Sequence, residues 1–217
     1  MKKNVSDALA KAIADHEEDE VEDSDDDWGD DDDGAAEDYG ASIESLTRAQ
    51  LLNFYRGQGQ DIKGRTIEQI WQWSYSVYES DKTYLTWLFP LDSADADNVD
   101  APVLTADTVM QFKADTNIAA NFRESLVCVL GFYGLMFDSA GKTIIMNPDE
   151  FSGRRDKWLI AGNHNYRRIV RILQSCKLLG LEKEAVMFCD LLCGELFKKF
   201  EGRINKADVA VWKSSLA

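Results

Sequence analysis

The chain has 217 residues and a formal net charge of −15 at pH 7. This length is sufficient for one domain with a sizeable core, or for a domain with tails. No stretch reaches the roughly 18 apolar residues that a membrane span needs, and the N-terminus lacks the apolar segment of a secretory signal. The composition therefore predicts a soluble intracellular protein without a membrane partner.

The negative charge is concentrated at the N-terminus. Residues 1–40 contain 17 acidic residues and three lysines, a net charge of −14, which leaves −1 for the remainder of the chain. The run HEEDEVEDSDDDWGDDDDG at 16–34 repels itself and has little apolar surface to offset the entropy lost on ordering. We therefore predict a disordered acidic arm over 1–42, a nearly neutral folded domain over 43–201, and a C-terminal tail or short helix over 202–217.

Two roles for the acidic arm remain open. It is either a solubilising tail, or an electrostatic segment that engages a basic partner or shields a basic patch of its own domain. Trp28 lies among the aspartates, and a single aromatic side chain would give such a segment an anchor. Trp28 is therefore the candidate partner-anchoring residue of the arm.

Helical spacing dominates the first part of the folded domain. Apolar residues recur three and four positions apart in 42–57 and 65–80, which predicts one helix in each segment. A short helix follows in YLTWLFPL at 84–91 and ends at Pro90, because proline disfavours helical backbone in the preceding residue. Core packing is the preferred interpretation of this aromatic segment. An aromatic ligand cage and a membrane-seeking patch are the alternatives.

A polar loop over 91–103 leads into the second part of the domain. The predicted elements that follow are a helix at 105–115 capped by Thr105, a long helix at 116–137 that breaks near Gly134, a hairpin at 136–147, helices at 163–177 and 181–200, and a final turn at 206–216. The fold class is therefore all-α, a compact helical domain with at most one small β-hairpin. We expect the core to include Trp71, Trp87, Phe89, Phe132, Ile169 and Leu173.

Buried free thiols are the predicted state of the four cysteines, Cys128, Cys176, Cys189 and Cys193. Cys189 and Cys193 share one face of the helix predicted at 181–200, but a regular helix does not suit disulfide geometry at that spacing. Only two histidines are present, His16 and His164, so we predict neither a metal site nor a cofactor. Free thiols are typical of a reducing compartment.

The helix predicted at 163–177 carries a basic face. At 100° per residue, His164, Arg168 and Arg171 fall on the side opposite the apolar stripe, and Asn165 and Arg167 lie beside them in sequence. A planar guanidinium binds carboxylate or phosphate through two parallel hydrogen bonds. These five residues are therefore the candidate ligand- or anion-binding site.

Two structural alternatives compete with that site. The basic residues could form a solvated helix face, or they could pair with carboxylates of the same domain, such as Glu68 or Asp81. The sequence does not distinguish these alternatives from an anion site.

No catalytic motif is present in the sequence. The chain has no Walker loop, no GxSxG and no HExxH. The segment SAGKT at 139–143 superficially resembles a phosphate loop but lacks the first glycine at the required spacing. His164 has no motif that pairs it with a nucleophile. We therefore expect a protein that is not an enzyme.

Five sequence blocks occur in an order that resembles a known family. They are NFYRG, DIKGRTIEQIWQWSYSVYESDKTYLTWLFPL, LTADTVMQFKAD, LGFYGLMF and NHNYRRIVRILQSCKLLGLE. The series, over about residues 50–197, resembles the conserved region of the opioid growth factor receptor family. His164, Asn165, Arg168 and Arg171 match the family block, whereas Arg167 stands where an apolar residue is usual.

The resemblance implies an all-helical fold and a binding role. Animal members of the family are described as perinuclear and nuclear receptors for an enkephalin peptide, and they often carry acidic N-terminal stretches. We therefore predict a non-enzymatic interaction or regulatory module that binds a protein or peptide, located in the cytoplasm, or at the nucleus if the source is eukaryotic.

The alternative is a nucleic-acid-related protein. It would use the acidic arm as a mimic of phosphate charge against a basic partner, or the arginine face as a nucleic-acid site.

Overall fold

The computed structural model describes residues 48–217. The predicted acidic arm over 1–42 and its candidate anchor Trp28 lie outside the described residues. In the described part of the chain, the fold is helical with one small antiparallel sheet, as the sequence predicts. No helix there is both long enough and apolar enough to cross a membrane.

The first helices are short and closely spaced. They are α1 over 48–55, α2 over Ile67–Trp71, α3 over Tyr75–Ser80 and α4 over Tyr84–Leu88. The later elements are α5 over Ala106–Ala114, α6 over Thr116–Phe132, β1 over Leu135–Phe137, β2 over Ile144–Met146, α7 over Phe151–Trp158, α8 over Asn165–Leu178, α9 over Glu182–Asp190 and α10 over Lys206–Ser214.

Side-chain caps explain where several of these helices begin. Thr66 and Gln69 form a capping box at the start of α2. The Thr108 amide donates to Thr105 Oγ1 at 3.2 Å, which confirms Thr105 as the N-cap of α5. Asp115 accepts from two amides of α6. Each cap satisfies a backbone donor that the first helical turn leaves without an intrahelical partner.

The single helix predicted over 65–80 is wrong, because the segment forms two helices, α2 and α3. The backbone is extended at Ser74 (φ −67°, ψ 155°), which interrupts the helical hydrogen bonds. The break lets the Trp73 ring pack edge-on against Tyr78 and Tyr84, with centroids 5.9 and 5.7 Å apart. Neither proline nor glycine marks this break in the sequence.

The predicted hairpin is present, and Gly134 sets its start. Leu135 pairs with Met146 and Phe137 with Ile144. Gly134 adopts φ +73°, and an added Cβ there would lie 2.8 Å from the Phe151 Cα. Only glycine fits this position without strain and overlap, which explains why α6 does not continue into the strand.

The core is apolar and rich in aromatic side chains. Five of the six residues expected in it are buried: Trp87, Phe89, Phe132, Ile169 and Leu173. The expectation for Trp71 is wrong, because its side chain is only partly buried and its Nε1 donates to Ser125 Oγ at 3.0 Å. A Trp with a polar partner at the edge of a core is a common arrangement.

The aromatic segment of α4 is part of this core and not a surface patch. Every residue of Tyr84–Leu88 is buried, which confirms the packing interpretation. The last carbonyl of the helix and the next two accept hydrogen bonds from distant side chains: Leu88 O from Tyr55, Phe89 O from Arg171 and Pro90 O from Ser175, at 2.6, 3.1 and 2.9 Å. These bonds join α4 to both α1 and α8.

The helix that begins with α9 is not regular throughout. It continues as a π-helical segment over Leu191–Leu196 and ends in one α-helical turn over Phe197–Lys199. The helix α10 packs on this irregular region and buries Trp212. The predicted helix over 181–200 is therefore present, but the change of hydrogen-bond pattern inside it was not predicted.

Candidate functional site

The start of α8 is organised around one carboxylate, Glu79, near the end of α3. Glu79 Oε1 lies 2.8 Å from His164 Nε2. The Asn165 amide donates to Glu79 Oε2 at 3.3 Å, and Arg168 Nη1 lies 3.5 Å from the same oxygen. The structure thus brings three of the five candidate residues together around an acid of their own chain.

Arg168 is a buried structural side chain. It is 7% exposed, and its guanidinium donates to the carbonyl oxygens of Tyr78 and Glu79 at 3.0 and 2.9 Å. A further hydrogen bond reaches Asn165 Oδ1 at 3.3 Å. The expectation that Arg168 projects away from the core is therefore wrong, because its donors satisfy the last carbonyls of α3.

Arg171 is also committed within the fold. It forms an ion pair with Asp95 of the loop after α4, and it donates to the Phe89 carbonyl. Burial lowers the pKa of the guanidinium, and Asp95 opposes part of that shift. The alternative of pairing with carboxylates describes both arginines, although the partners are Glu79 and Asp95 and not Glu68 or Asp81.

A cleft of about 330 Å³ lies between the start of α8, the start of α4 and the loop after α4. It is lined by Lys82, Thr83, Leu85, Thr86, Asp95, Asp97, Asn98, His164, Arg167, Arg168 and Arg171. Four of the predicted site residues therefore line this cleft. Asn165 is buried behind it and holds Glu79 and Arg168 in place.

Two cations of the cleft remain available to a ligand. Lys82 and Arg167 are exposed, and neither side chain has an ion pair among the described residues. The lining contains four cations and two carboxylates, and Glu79 is a third carboxylate behind it. Because Arg171 pairs with Asp95 and Arg168 with Glu79, Lys82, Arg167 and Asp97 remain, and the cleft has a net excess of one positive charge.

The α4 side of the cleft was not predicted from the sequence. Lys82, Asp95, Asp97 and Asn98 belong to segments that show only polar composition in the sequence. Asn98 Nδ2 donates to Thr86 Oγ1 at 3.0 Å, which holds the loop against α4. The run of aspartates over 92–100 was the available signal, since acidic loops pair with basic helix faces.

The arrangement is suited to binding an anionic group beside an apolar one. Lys82 and Arg167 supply charge and hydrogen-bond donors. The Thr83 and Thr86 hydroxyls already bond within the fold, and Leu85, which is 6% exposed, presents a small apolar surface to the cleft. The described contacts of His164 involve Glu79 and Asn165 and no nucleophile. No group of three His, Cys, Asp or Glu side chains that could hold a metal occurs in the described part of the chain.

Comparison with known proteins identifies one family. A sequence model for the opioid growth factor receptor conserved region matches residues 46–212. Opioid growth factor receptors from Rattus norvegicus and Homo sapiens are each 33% identical over 135 residues, which cover 60% of this chain and 23% and 20% of those proteins. No solved structure matches the chain significantly.

A second group of relatives covers nearly the same region. An opioid growth factor receptor-like protein 1 from Xenopus tropicalis is 32% identical over 122 residues, 55% of this chain and 23% of that protein. The chain thus spans less than a quarter of the length of the curated relatives described here. Both sides of the cleft fall within the region that the family model matches.

Proposed function

This chain belongs to the family of the opioid growth factor receptor conserved region, and on that premise we propose that it is a non-enzymatic module that binds a protein or peptide. The partner docks at the cleft between α4 and α8. An acidic side chain of the partner lies between Lys82 and Arg167, and a neighbouring apolar side chain contacts Leu85.

This proposal rests on the different roles of the four basic residues of the cleft. Arg168 and Arg171 use their donors on Tyr78, Glu79, Phe89 and Asp95. They are thus held rigidly at the back of the cleft, while Lys82 and Arg167 remain exposed at its margin. A preorganised cleft with a few polar groups is the usual form of a ligand site.

The size of the cleft favours one or two side chains of a larger ligand. A volume of about 330 Å³ is at the low end for ligand pockets. A peptide segment would place its anchor there and run across the surface on either side. The rat and human relatives bear the name of a growth factor receptor, which is consistent with a peptide as the ligand.

The nucleic-acid alternative gains no support from this geometry. Nucleic-acid binding depends on several simultaneous phosphate contacts from Lys and Arg. Arg168 and Arg171 already serve contacts within the fold, so the cleft offers Lys82 and Arg167 as its available cations. Two such contacts fit a single anionic side chain better than a polyphosphate backbone.

We place the protein inside the cell. The four cysteines of the described residues are free thiols, and free thiols persist in reducing compartments. From the sequence of the acidic arm alone, we further propose that the partner carries a basic segment and that the arm binds it.

Selection of short random peptides on the full chain tests the cleft. We expect wild type to enrich peptides with Asp or Glu next to an apolar residue. The double variant Lys82→Glu with Arg167→Glu should lose that enrichment. The matched control is Lys142→Glu with Lys183→Glu, which reverses the same number of exposed charges away from the cleft and should retain it.

The result that overturns the proposal is equally specific. If wild type and the cleft variant select the same peptides, the binding site lies elsewhere. If wild type selects none while its circular dichroism shows a folded helical protein, the chain is not a peptide-binding module of this kind.

A further inference from the structure

Cys189 and Cys193 lie one turn apart where α9 changes into its π-helical segment. Their Sγ atoms are 3.7 Å apart, and Cys193 Sγ lies 3.9 Å from the Val209 carbonyl of α10. Cys189 is buried and Cys193 is partly exposed. The pair is therefore near the surface and in contact with the last helix.

The irregular helix changes the geometric argument against a bond between these sulfurs. In a regular α-helix, residues four positions apart are separated by about 6 Å along the axis. In a π-helix each hydrogen bond joins groups five residues apart and the turn is wider. The rise along the axis per residue is therefore smaller than in an α-helix. The π-helical segment begins at Leu191, between the two cysteines, and the two Sγ atoms lie 3.7 Å apart.

Cys189 differs from the other three cysteines in the direction of its pKa shift. The hydrogen bond from Cys193 lowers the pKa of Cys189, with Lys213 in support and with burial and Asp190 opposing. That hydrogen bond and burial raise the pKa of Cys193. Burial and Glu124 raise the pKa of Cys128 to about 11, and burial raises that of Cys176.

We propose that Cys189 and Cys193 form a peroxide-reactive thiol pair that closes to a reversible disulfide. The Cys189 thiolate attacks a peroxide oxygen, which breaks the O–O bond and gives a sulfenic acid and hydroxide. The Cys193 thiol then attacks the Cys189 sulfur. The S–S bond forms, and the sulfenic hydroxyl leaves as water with the thiol proton.

Contacts around the pair give closure a consequence beyond the two side chains. The helix α10 packs against the π-helical segment, and Cys193 contacts its backbone at Val209. The Trp212 ring in turn packs against Tyr166 of α8 with centroids 5.1 Å apart. Movement of Cys193 towards Cys189 removes one contact of α10. This inference does not depend on the proposed peptide site.

Mass spectrometry of the full chain tests the pair directly. After brief treatment with hydrogen peroxide and alkylation of the remaining thiols, trypsin releases residues 184–198 with both cysteines, because Lys183 and Lys198 flank them. We expect this peptide to be unalkylated and lighter by two hydrogen atoms, and dithiothreitol to reverse the change. Its loss of free thiol should be at least about tenfold faster than that of Cys128.

Variants separate the two chemical steps. In Cys193→Ser, a sulfenic acid that dimedone traps should accumulate at Cys189. In Cys189→Ser, the reaction with peroxide should fall to the rate of Cys128. Cys128→Ser is the matched control, because Cys128 is also a partly buried helical thiol, and it should leave disulfide formation unchanged.

Three outcomes would overturn the inference. One is that Cys128 is consumed before the pair. Another is that residues 184–198 accumulate sulfinic or sulfonic acids without a disulfide. The third is that the disulfide joins two chains, which a non-reducing gel would show. The wild-type measurement decides these points even if a serine variant fails to fold.

Discussion

Arg168 and Tyr78 are 90 positions apart in the sequence, and the Arg168 guanidinium donates to the Tyr78 carbonyl at 3.0 Å. Together with the adjacent bond to Glu79, this contact closes the end of α3 with a side chain of α8. A helix end buried without such partners would leave carbonyl groups unsatisfied. Arg168 therefore has a structural role that does not depend on a ligand.

Replacement of Arg168 by Gln should destabilise the protein. The change leaves the Tyr78 and Glu79 carbonyls without their side-chain donor. It also removes one of the three contacts of the Glu79 carboxylate, which is partly screened by solvent. We expect the free energy of unfolding to fall by about 2–4 kcal/mol, measured by urea denaturation. Arg167→Gln on the same helix is the control and should change stability by less than about 0.5 kcal/mol. Equal effects would contradict the structural role of Arg168.

Two buried tryptophans should respond differently to replacement by Phe. Trp87 Nε1 has no hydrogen-bond partner within the described residues, whereas Trp158 Nε1 donates to the Tyr133 carbonyl at 3.0 Å. Both side chains are 1% exposed. Trp158→Phe should therefore cost about 1–2 kcal/mol more than Trp87→Phe, by chemical denaturation.

Trp87→Ala tests the core assignment of α4. Removal of this side chain should cost about 3–5 kcal/mol through lost contacts and a cavity. Thermal denaturation would measure the loss. An unchanged melting temperature together with lost peptide binding would instead make Trp87 a ligand-binding residue.

Alanine replacements at two glycines with positive φ distinguish the stability cost of steric overlap from that of backbone strain. At Gly134 an added Cβ meets the Phe151 Cα at 2.8 Å, whereas at Gly141 it meets nothing within 4 Å. Gly141→Ala should cost about 1–2 kcal/mol for the left-handed backbone alone. Gly134→Ala should cost clearly more, because the α7 backbone must also move. Similar melting temperatures for the two variants would contradict the close approach.

Asp81 should make stability depend on acid pH. Burial would raise the pKa of its carboxyl, but hydrogen bonds from Thr83 and the charge of Arg65 outweigh burial and lower it. A depressed folded-state pKa gives a contribution that is full above the unfolded value of about 3.9 and is lost as pH falls through the folded value. Urea midpoints should fall below about pH 4, and Asp81→Asn should show a shallower fall.

Much of the fold was predictable because apolar spacing, helix caps and glycine positions determine many of its elements locally. The spacing of apolar residues and the N-cap Thr105 predicted α5 and α6, and Gly134 predicted the end of α6 before the hairpin. The break at Ser74 was not predictable, since it depends on where Trp73 packs in the folded chain. The π-helical segment after α9 was also not predicted, because the apolar spacing of 181–200 is that of a regular helix.

The residue types of the candidate site were predictable from the sequence, but the contacts that each residue makes were not. The helical wheel placed His164, Arg168 and Arg171 on one side of the helix, and all three line the same cleft, but a wheel alone does not show which charged residues are buried. Arg168 is buried because its partners, the carbonyls of Tyr78 and Glu79, carry no signature in a sequence. The opposite wall with Lys82 and Asp95 comes from a segment more than 60 positions earlier, so only the folded chain shows that the two surfaces meet.

The hydrogen bonds that close the end of α4 also set an order of events during synthesis. Phe89 O and Pro90 O receive their donors from residues 82 and 85 positions later. Contacts over such separations form slowly because long loops must close first. In a nascent chain whose α8 has not yet left the ribosome, the aromatic segment of α4 would therefore be exposed. At this stage the protein would have the greatest need of a chaperone.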